Sequence, residues 1–187
     1  SYLASRPGVI GYVLRDRSTG QRYANAGADT MIWTASTIKL AMVVDLLTRE
    51  RAGGALRLSA ADRQLMIAML RDSDNDAADT LWSRYGGPDH RAFNADFPRY
   101  GLTSLQPPTG GSAMCSPYWG FQKATANDLD RLMNYVLSQM NSADAAAIAS
   151  EMQRVSPDQQ WGGVWGAPDR RWLPETRTAG PRNRAAG

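Results

Sequence analysis

The sequence predicts an α+β fold in which helices dominate, with an incomplete small antiparallel sheet whose clear strands open the chain and whose remaining candidate stretch lies near its end. Three observations carry this expectation. Apolar residues recur at helical spacing through most of residues 31–155. A short apolar run, a turn cluster and a returning segment open the chain like a hairpin. Residues 156–187 switch to a Gly-, Pro- and Arg-rich composition that continues neither pattern. The 187 residues suit one domain, 1–187, with a strand pair in 1–30, a helical lobe in 31–155 and an atypical C-terminal segment in 156–187.

Each element follows from local chemistry. Val9 to Leu14 is apolar, and Asp16-Arg17-Ser18-Thr19-Gly20 is a turn cluster, so residues 21–25 can return as a second strand. A helix over 36–51 carries Leu40, Val43, Val44, Leu46 and Leu47, too many for a narrow stripe, which predicts burial on most sides. It stops at Gly53-Gly54. Ser59 reads as an N-cap, with Asp62 in the first turn favouring that helix end. That helix breaks near Asp72, and another runs over 76–85 to the stop signal Gly86-Gly87-Pro88. A short helix covers 91–97. Residues 102–123 are read as an ordered loop in which Tyr118, Trp119 and Phe121 supply something to bury. Thr125 and Asp128 form a capping pattern for the next helix, and Ser142 is expected to cap the last one. No repeat is evident.

Composition excludes several function classes. With 43% apolar and 21% charged residues the chain reads as globular. The longest apolar run, residues 40–47, is interrupted by Asp45, so no membrane span is expected. A single cysteine, Cys115, leaves no internal disulfide and no thiolate cluster, and is read as a buried inert thiol. A single histidine, His90, leaves little for a zinc site or a Ser-His-Asp triad and is read as a solvated turn residue. No metal or cofactor is implied. The net charge of +3 collects in Arg170, Arg171, Arg177, Arg182 and Arg184, without the interleaved aromatics of a nucleic-acid surface, so no nucleic-acid partner is expected.

One constellation carries chemistry. Ser36-Thr37-Ile38-Lys39 places a hydroxyl and an amine three residues apart, on one helical face. Ser36 would sit at the helix N-terminus, where free backbone N–H groups can stabilise an oxyanion. Burial would lower the Lys39 pKa and let it take the serine proton. An N-capping serine followed by a surface lysine would read the same, and S-x-x-K alone arises by chance in about half of chains this long. Two features sharpen it. Lys39 interrupts an apolar segment and so asks for a partner. Ser73-Asp74-Asn75, expected by chance at roughly 0.02 copies per chain, supplies one at a break between helices.

Thr34-Ala35-Ser36-Thr37-Ile38-Lys39-Leu40, followed by Ser73-Asp74-Asn75-Asp76-Ala77-Ala78, resembles the serine β-lactamase and penicillin-binding protein superfamily. The opening strand pair and the segment Ala124-Thr125-Ala126-Asn127-Asp128-Leu129 fit the same resemblance, which covers roughly residues 8–155. It implies a β-lactamase/transpeptidase-like fold and an exported protein. Ser36 would be the acylated nucleophile and Lys39 the base or proton relay. Ser73 would pass a proton to the leaving nitrogen, and Asn75 would bond Lys39 and the substrate amide. Asp74 would hold the loop. The oxyanion would be held by the Ser36 N–H and one N–H from a C-terminal strand.

Three departures qualify what the resemblance implies. Residues 97–127 contain no Asp or Glu, so the glutamate with which class A enzymes activate the deacylating water has no counterpart there. No Lys-Thr-Gly is present; Arg177-Thr178-Ala179 is the nearest analogue, with Arg177 and Thr178 as candidate substrate-binding residues. The sheet reads as incomplete, which leaves three alternatives open: a truncated chain, strands shared in a homo-oligomer, or strands without a clear sequence signal; the segment between Lys39 and Ser73 is also shorter than usual in class A. The expectation is therefore a serine acyl-transfer protein, a poor β-lactamase at best, acylated by β-lactam or peptidoglycan-like peptidyl substrates with slow or absent deacylation. The alternative is a pseudoenzyme or binding module that keeps the fold.

Overall fold

Helix α1 (Ile38–Arg51) lies at the centre of the protein and is surrounded by the other helices. The computed structural model describes residues 5–108 and 118–159. Around α1 pack α2 (Ala60–Arg71), α3 (Asn75–Tyr85), α4 (Ala92–Asp96), α5 (Ala126–Ser138) and α6 (Ser142–Met152). Ile38, Ala41, Met42, Val43, Val44, Leu46 and Leu47 of α1 are all buried, as the density of apolar residues predicted. They meet Met66 and Met69 of α2, Leu81 and Trp82 of α3, Phe93 of α4, Leu132 and Val136 of α5 and Ile148 of α6 in one core. Each large aliphatic so buried contributes about 1.5–3 kcal/mol. Trp82 and Phe93 stack with centroids 4.9 Å apart, joining α3 to α4.

A core helix buried all round also buries whatever polar residue it carries. Asp45 is fully enclosed, accepting from Tyr100 Oη–H at 2.9 Å and from Arg49 Nη1 at 3.1 Å. Burial outweighs these partners and pushes its carboxyl up to about 6.

The helix ends are fixed by side chains. Ser59 and Asp62 form a reciprocal capping box on α2, and Thr125 and Asp128 form another on α5. Burial alone would raise Asp62, but hydrogen bonds from Ser59, Tyr85 and Arg84 hold it down at about 2. Asp74 caps α3 through Ala77 N at 2.9 Å. Helix α6 departs from expectation. Asn141, not Ser142, is its cap, with Oδ1 accepting from Ala143 N at 3.0 Å. Asparagine is at least as good a cap as serine, and its position one residue earlier puts Ser142 inside the first turn.

The expected hairpin is present. β1 (Val13–Arg15) and β2 (Arg22–Ala24) pair antiparallel, Leu14 opposite Tyr23. Arg15 and Arg22 both reach Asp130 on α5, at 2.6 and 3.0 Å, and dock the hairpin on the helical lobe. A second ribbon, which the sequence reading did not anticipate, joins β3 (Ile32–Trp33) to β4 (Lys123–Ala124), with Trp33 opposite Lys123. Within the 102–123 stretch, Trp119 is buried as expected, whereas Phe121 is 54% exposed. Gly101 has φ +96° and closes the turn after residues 97–100; a Cβ there would lie 2.5 Å from Arg131 Cβ. His90 is half-buried rather than solvated; its Nδ1 is enclosed with no hydrogen-bond partner among the described residues. No helix among the described residues is long and apolar enough to cross a membrane.

Candidate active site

Ser36 is positioned by the β3–β4 ribbon. Immediately after β3, Thr34 N and Oγ1 both donate to Gln122 O, at 2.9 and 3.1 Å, and Thr37 N donates back to Thr34 O at 3.0 Å. Ala35 turns the chain with φ +44°, a conformation an L-residue rarely adopts. The tight turn Ala35–Thr37 then leads directly into α1, leaving Ser36 exposed at the helix N-terminus. The free N–H groups of a helix N-terminus suit a developing negative charge.

Lys39, one turn further along, is 1% exposed. Its ammonium donates to the Ser73 carbonyl oxygen, to Ser73 Oγ at 3.2 Å and to Asn75 Oδ1 at 2.7 Å. All three N–H donors are thereby engaged, and Ser36 Oγ is not among their acceptors. Desolvation lowers the Lys39 pKa below the ordinary lysine range, and the carboxylates of Asp74 and Asp79 oppose that fall.

Ser73 and Asn75 reach Lys39 because the α2–α3 junction is sharply turned. Asp72 N and Asp74 N both donate to Ala68 O, at 2.9 and 3.3 Å, and Ser73 between them has φ +55°. This strained conformation turns both the Ser73 carbonyl and its hydroxyl toward the amine. Such backbone costs of order 1–3 kcal/mol and persists where the surroundings fix it. Lys39, Ser73 and Asn75 therefore meet in one place, with Ser36 on the same helix end. Arg177, Thr178 and Cys115 lie outside the described residues.

Two side chains that the sequence reading did not assign to the site also belong to it. The Trp119 indole lies over the Lys39 ammonium, 4.8 Å from Nζ to the ring centroid. Asp79, one helical turn after Asn75, accepts from Tyr118 Oη–H and Trp119 Nε1–H at 2.7 Å each. The i, i+4 spacing of Asn75 and Asp79 was the available signal, since it puts both on one face of α3. Among the described residues no group of three His, Cys, Asp or Glu side chains converges as a metal site would.

No family model matches the chain. The chain is 32% identical over 181 residues to proteins named "Putative lipoprotein LppW" of Mycobacterium tuberculosis and Mycobacterium bovis, a match that takes in 95% of this chain and 53% of theirs. It thus spans about half the length of these relatives. Among solved structures it is similar to an ancestral class A β-lactamase (TM-score 0.60, 18% identity, 79% of this chain and 66% of that one). A β-lactamase from Desulfarculus baarsii (0.60, 15%, 79% and 64%) and the class A β-lactamase of Mycobacterium abscessus (0.57, 19%, 79% and 65%) are similar to the same extent. At such identities the likeness is one of architecture. A helix-rich lobe with two small antiparallel ribbons, superposing on these structures over 79% of its length, gives the chain the β-lactamase-like fold.

Proposed function

We propose that the chain is a serine acyl-transfer protein, acylated at Ser36 by β-lactams or peptidyl amides and esters, with slow or absent deacylation. The observation that carries this reading is the convergence of Ser73 and Asn75, 34 and 36 residues away, on the buried Lys39 amine. Burying a charge is costly unless it is paired, and a lysine needed only for solubility would be at the surface. In the acylation step Ser36 Oγ attacks the substrate carbonyl carbon and a new O–C bond forms. The C–N or C–O bond of the substrate breaks. The Ser36 proton passes to the neutral Lys39 amine and, through Ser73 Oγ, to the leaving nitrogen or oxygen. Asn75 orients the amine and the substrate amide. Arg177 and Thr178 take the substrate carboxylate. The chain from 97 to 127 offers no carboxylate to activate water against the acyl-enzyme, which supports slow release. The named lipoprotein relatives support an exported, envelope-associated setting, where peptidoglycan-like peptides are available. Tyr12, Leu14 and Tyr23, exposed on the hairpin, support strand sharing between two copies; a monomer by light scattering at high concentration would remove that element.

The test is incubation with a fluorescent penicillin followed by intact-mass spectrometry, with Ser36→Ala alongside. The expected result is a covalent adduct on the native chain that persists for hours and is absent from the variant. Absence of any adduct, with activated esters as well as penicillins, overturns the reading. A second reading, a binding module without chemistry, is favoured by one observation: Lys39 gives its three donors to Ser73 and Asn75 and none to Ser36. Calorimetric binding of a penicillin without any adduct would select it.

A further inference from the structure

Three sides of the Lys39 ammonium are taken by the Ser73 carbonyl, Ser73 Oγ and Asn75 Oδ1; the Trp119 ring faces the amine at 4.8 Å. Trp119 packs in the core, but the turn that carries it has little hydrogen bonding of its own to fix the angle of the indole. It is a three-residue turn, Trp119–Phe121, without a side-chain cap. Its internal backbone bond, Phe121 N to Tyr118 O, is long at 3.4 Å. The ring is instead tied to α3. One oxygen of Asp79 accepts from Trp119 Nε1–H and from Tyr118 Oη–H, both at 2.7 Å, and the two rings lie against each other with centroids 5.2 Å apart. Asp79 sits one turn after Asn75, so a single face of α3 sends Asn75 to the amine and Asp79 to the ring that covers it.

We propose that Asp79 is a positioning residue: it locks the Trp119 indole over Lys39 and thereby decides which face of the amine water can reach. The indole face attracts the ammonium but has no lone pair with which to bind or polarise a water molecule. With the ring locked, the amine faces Ser73 and Asn75, and in the acyl-transfer reading Ser36, while the side under the ring stays dry. This deepens the acyl-transfer reading and rests on it for the amine's purpose. The clamp itself is a matter of geometry and is tested separately.

The chain has only two lysines, Lys39 and Lys123, so selective 13C labelling of lysine gives two ε-methylene signals, and Lys123→Arg assigns them. In the native chain the Lys39 signal is expected upfield of its position in the urea-unfolded chain, shifted by the indole ring current. Asp79→Ala, a change at an exposed position of α3, loses that shift. Asp79→Asn keeps an acceptor oxygen and retains it, while the Lys39 titration midpoint falls because a nearby negative charge is gone. Trp119→Phe, which lacks the Nε1–H donor, reduces the shift. Retention of the native shift in Asp79→Ala overturns the proposal, because Trp119 would then be held by its own packing. Loss of the shift in Asp79→Asn also overturns it, because the acceptor alone would not suffice. On the native chain's penicillin adduct, Asp79→Ala slows acylation on the order of tenfold and Asp79→Asn restores it, a misplacement effect. If no adduct forms but the ring-current results hold, the acyl-transfer reading fails and the clamp stands. If adduct forms and the ring-current results fail, only the clamp is lost.

Discussion

The two lysines of this chain make the same contact in two different settings. Lys39 Nζ lies 4.8 Å from the Trp119 ring centroid, and Lys123 Nζ lies 4.6 Å from that of Trp33. Around Lys39 the amine and the ring that covers it are both closed off from solvent. Trp119 is 4% exposed, its N–H is bonded to Asp79, and the amine has three acceptors. On the β3–β4 ribbon the ring that meets the lysine is open to solvent. Trp33 is 58% exposed and meets Phe121 edge-on at 6.5 Å on the outer surface. A cation over an indole is worth about 0.5–1 kcal/mol in water and about 2 when desolvated. What separates the two regions is the enclosure around the pair, and enclosure makes each partner of Lys39 expensive to remove.

The sharpest way to break this comparison is to delete each indole. Trp119→Ala is expected to cost about 3–5 kcal/mol in urea unfolding, because a buried aromatic leaves a cavity and uncovers a buried charge. Trp33→Ala is expected to stay under about 1 kcal/mol, as surface substitutions do. Equal losses would mean that the ribbon is as integral to the core as the α1–α3 junction. Deleting the polar partners sharpens the comparison further. Asn75→Leu removes one acceptor from the Lys39 ammonium, and a hydrogen bond to a charged group is worth about 1.5–3 kcal/mol. Asn75 is itself exposed and water can replace part of the bond, so about 1–2 kcal/mol is expected. Lys123→Met on the ribbon is expected to fall within about 0.5 kcal/mol.

The closed region was also the more legible in the sequence. Lys39 in an apolar helix announced a buried charge. Ser73-Asp74-Asn75 at a helix break announced its partners, and the structure brings Lys39, Ser73 and Asn75 together. The Ser59–Asp62 and Thr125–Asp128 caps were readable because their information is local, within three residues. The open ribbon was not readable. Two-residue strands show no alternation, and Thr34 finds its partner Gln122 at a separation of 88 residues. Trp119 over Lys39 was missed for the same reason: a loop aromatic announces burial but not what it covers. Between Asn141 and Ser142 the sequence offers two competent caps in succession, and only the backbone geometry of the turn selects one. The polar turn motif at His90 predicts a solvated ring, whereas the structure half-buries it at a residue with φ +55°.

The finest discrimination between the two lysines comes from pH. Desolvation holds the folded-state pKa of Lys39 below its unfolded value of 10.5, against the pull of Asp74 and Asp79. Below the folded pKa both states carry the proton, and the burial penalty is fully present and constant. Between the folded pKa and 10.5 the unfolded chain binds a proton that the folded chain does not, so stability rises with pH across that window. Above it the penalty is gone. Lys39→Met removes the titrating group and should flatten this rise. The raised phenols of Tyr85 and Tyr100 contribute the opposite slope at high pH, but they are present in both proteins and cancel in the difference. The measurement is a series of urea unfolding curves across the alkaline range, native minus variant. Asp79→Asn should extend the window to lower pH, since it withdraws a charge that supports the ammonium. An identical slope in native chain and Lys39→Met would mean that the charges of Asp74 and Asp79 and the amine's acceptors fully offset its desolvation. In that case the burial of Lys39, and with it the contrast with the open ribbon, would carry no energetic weight.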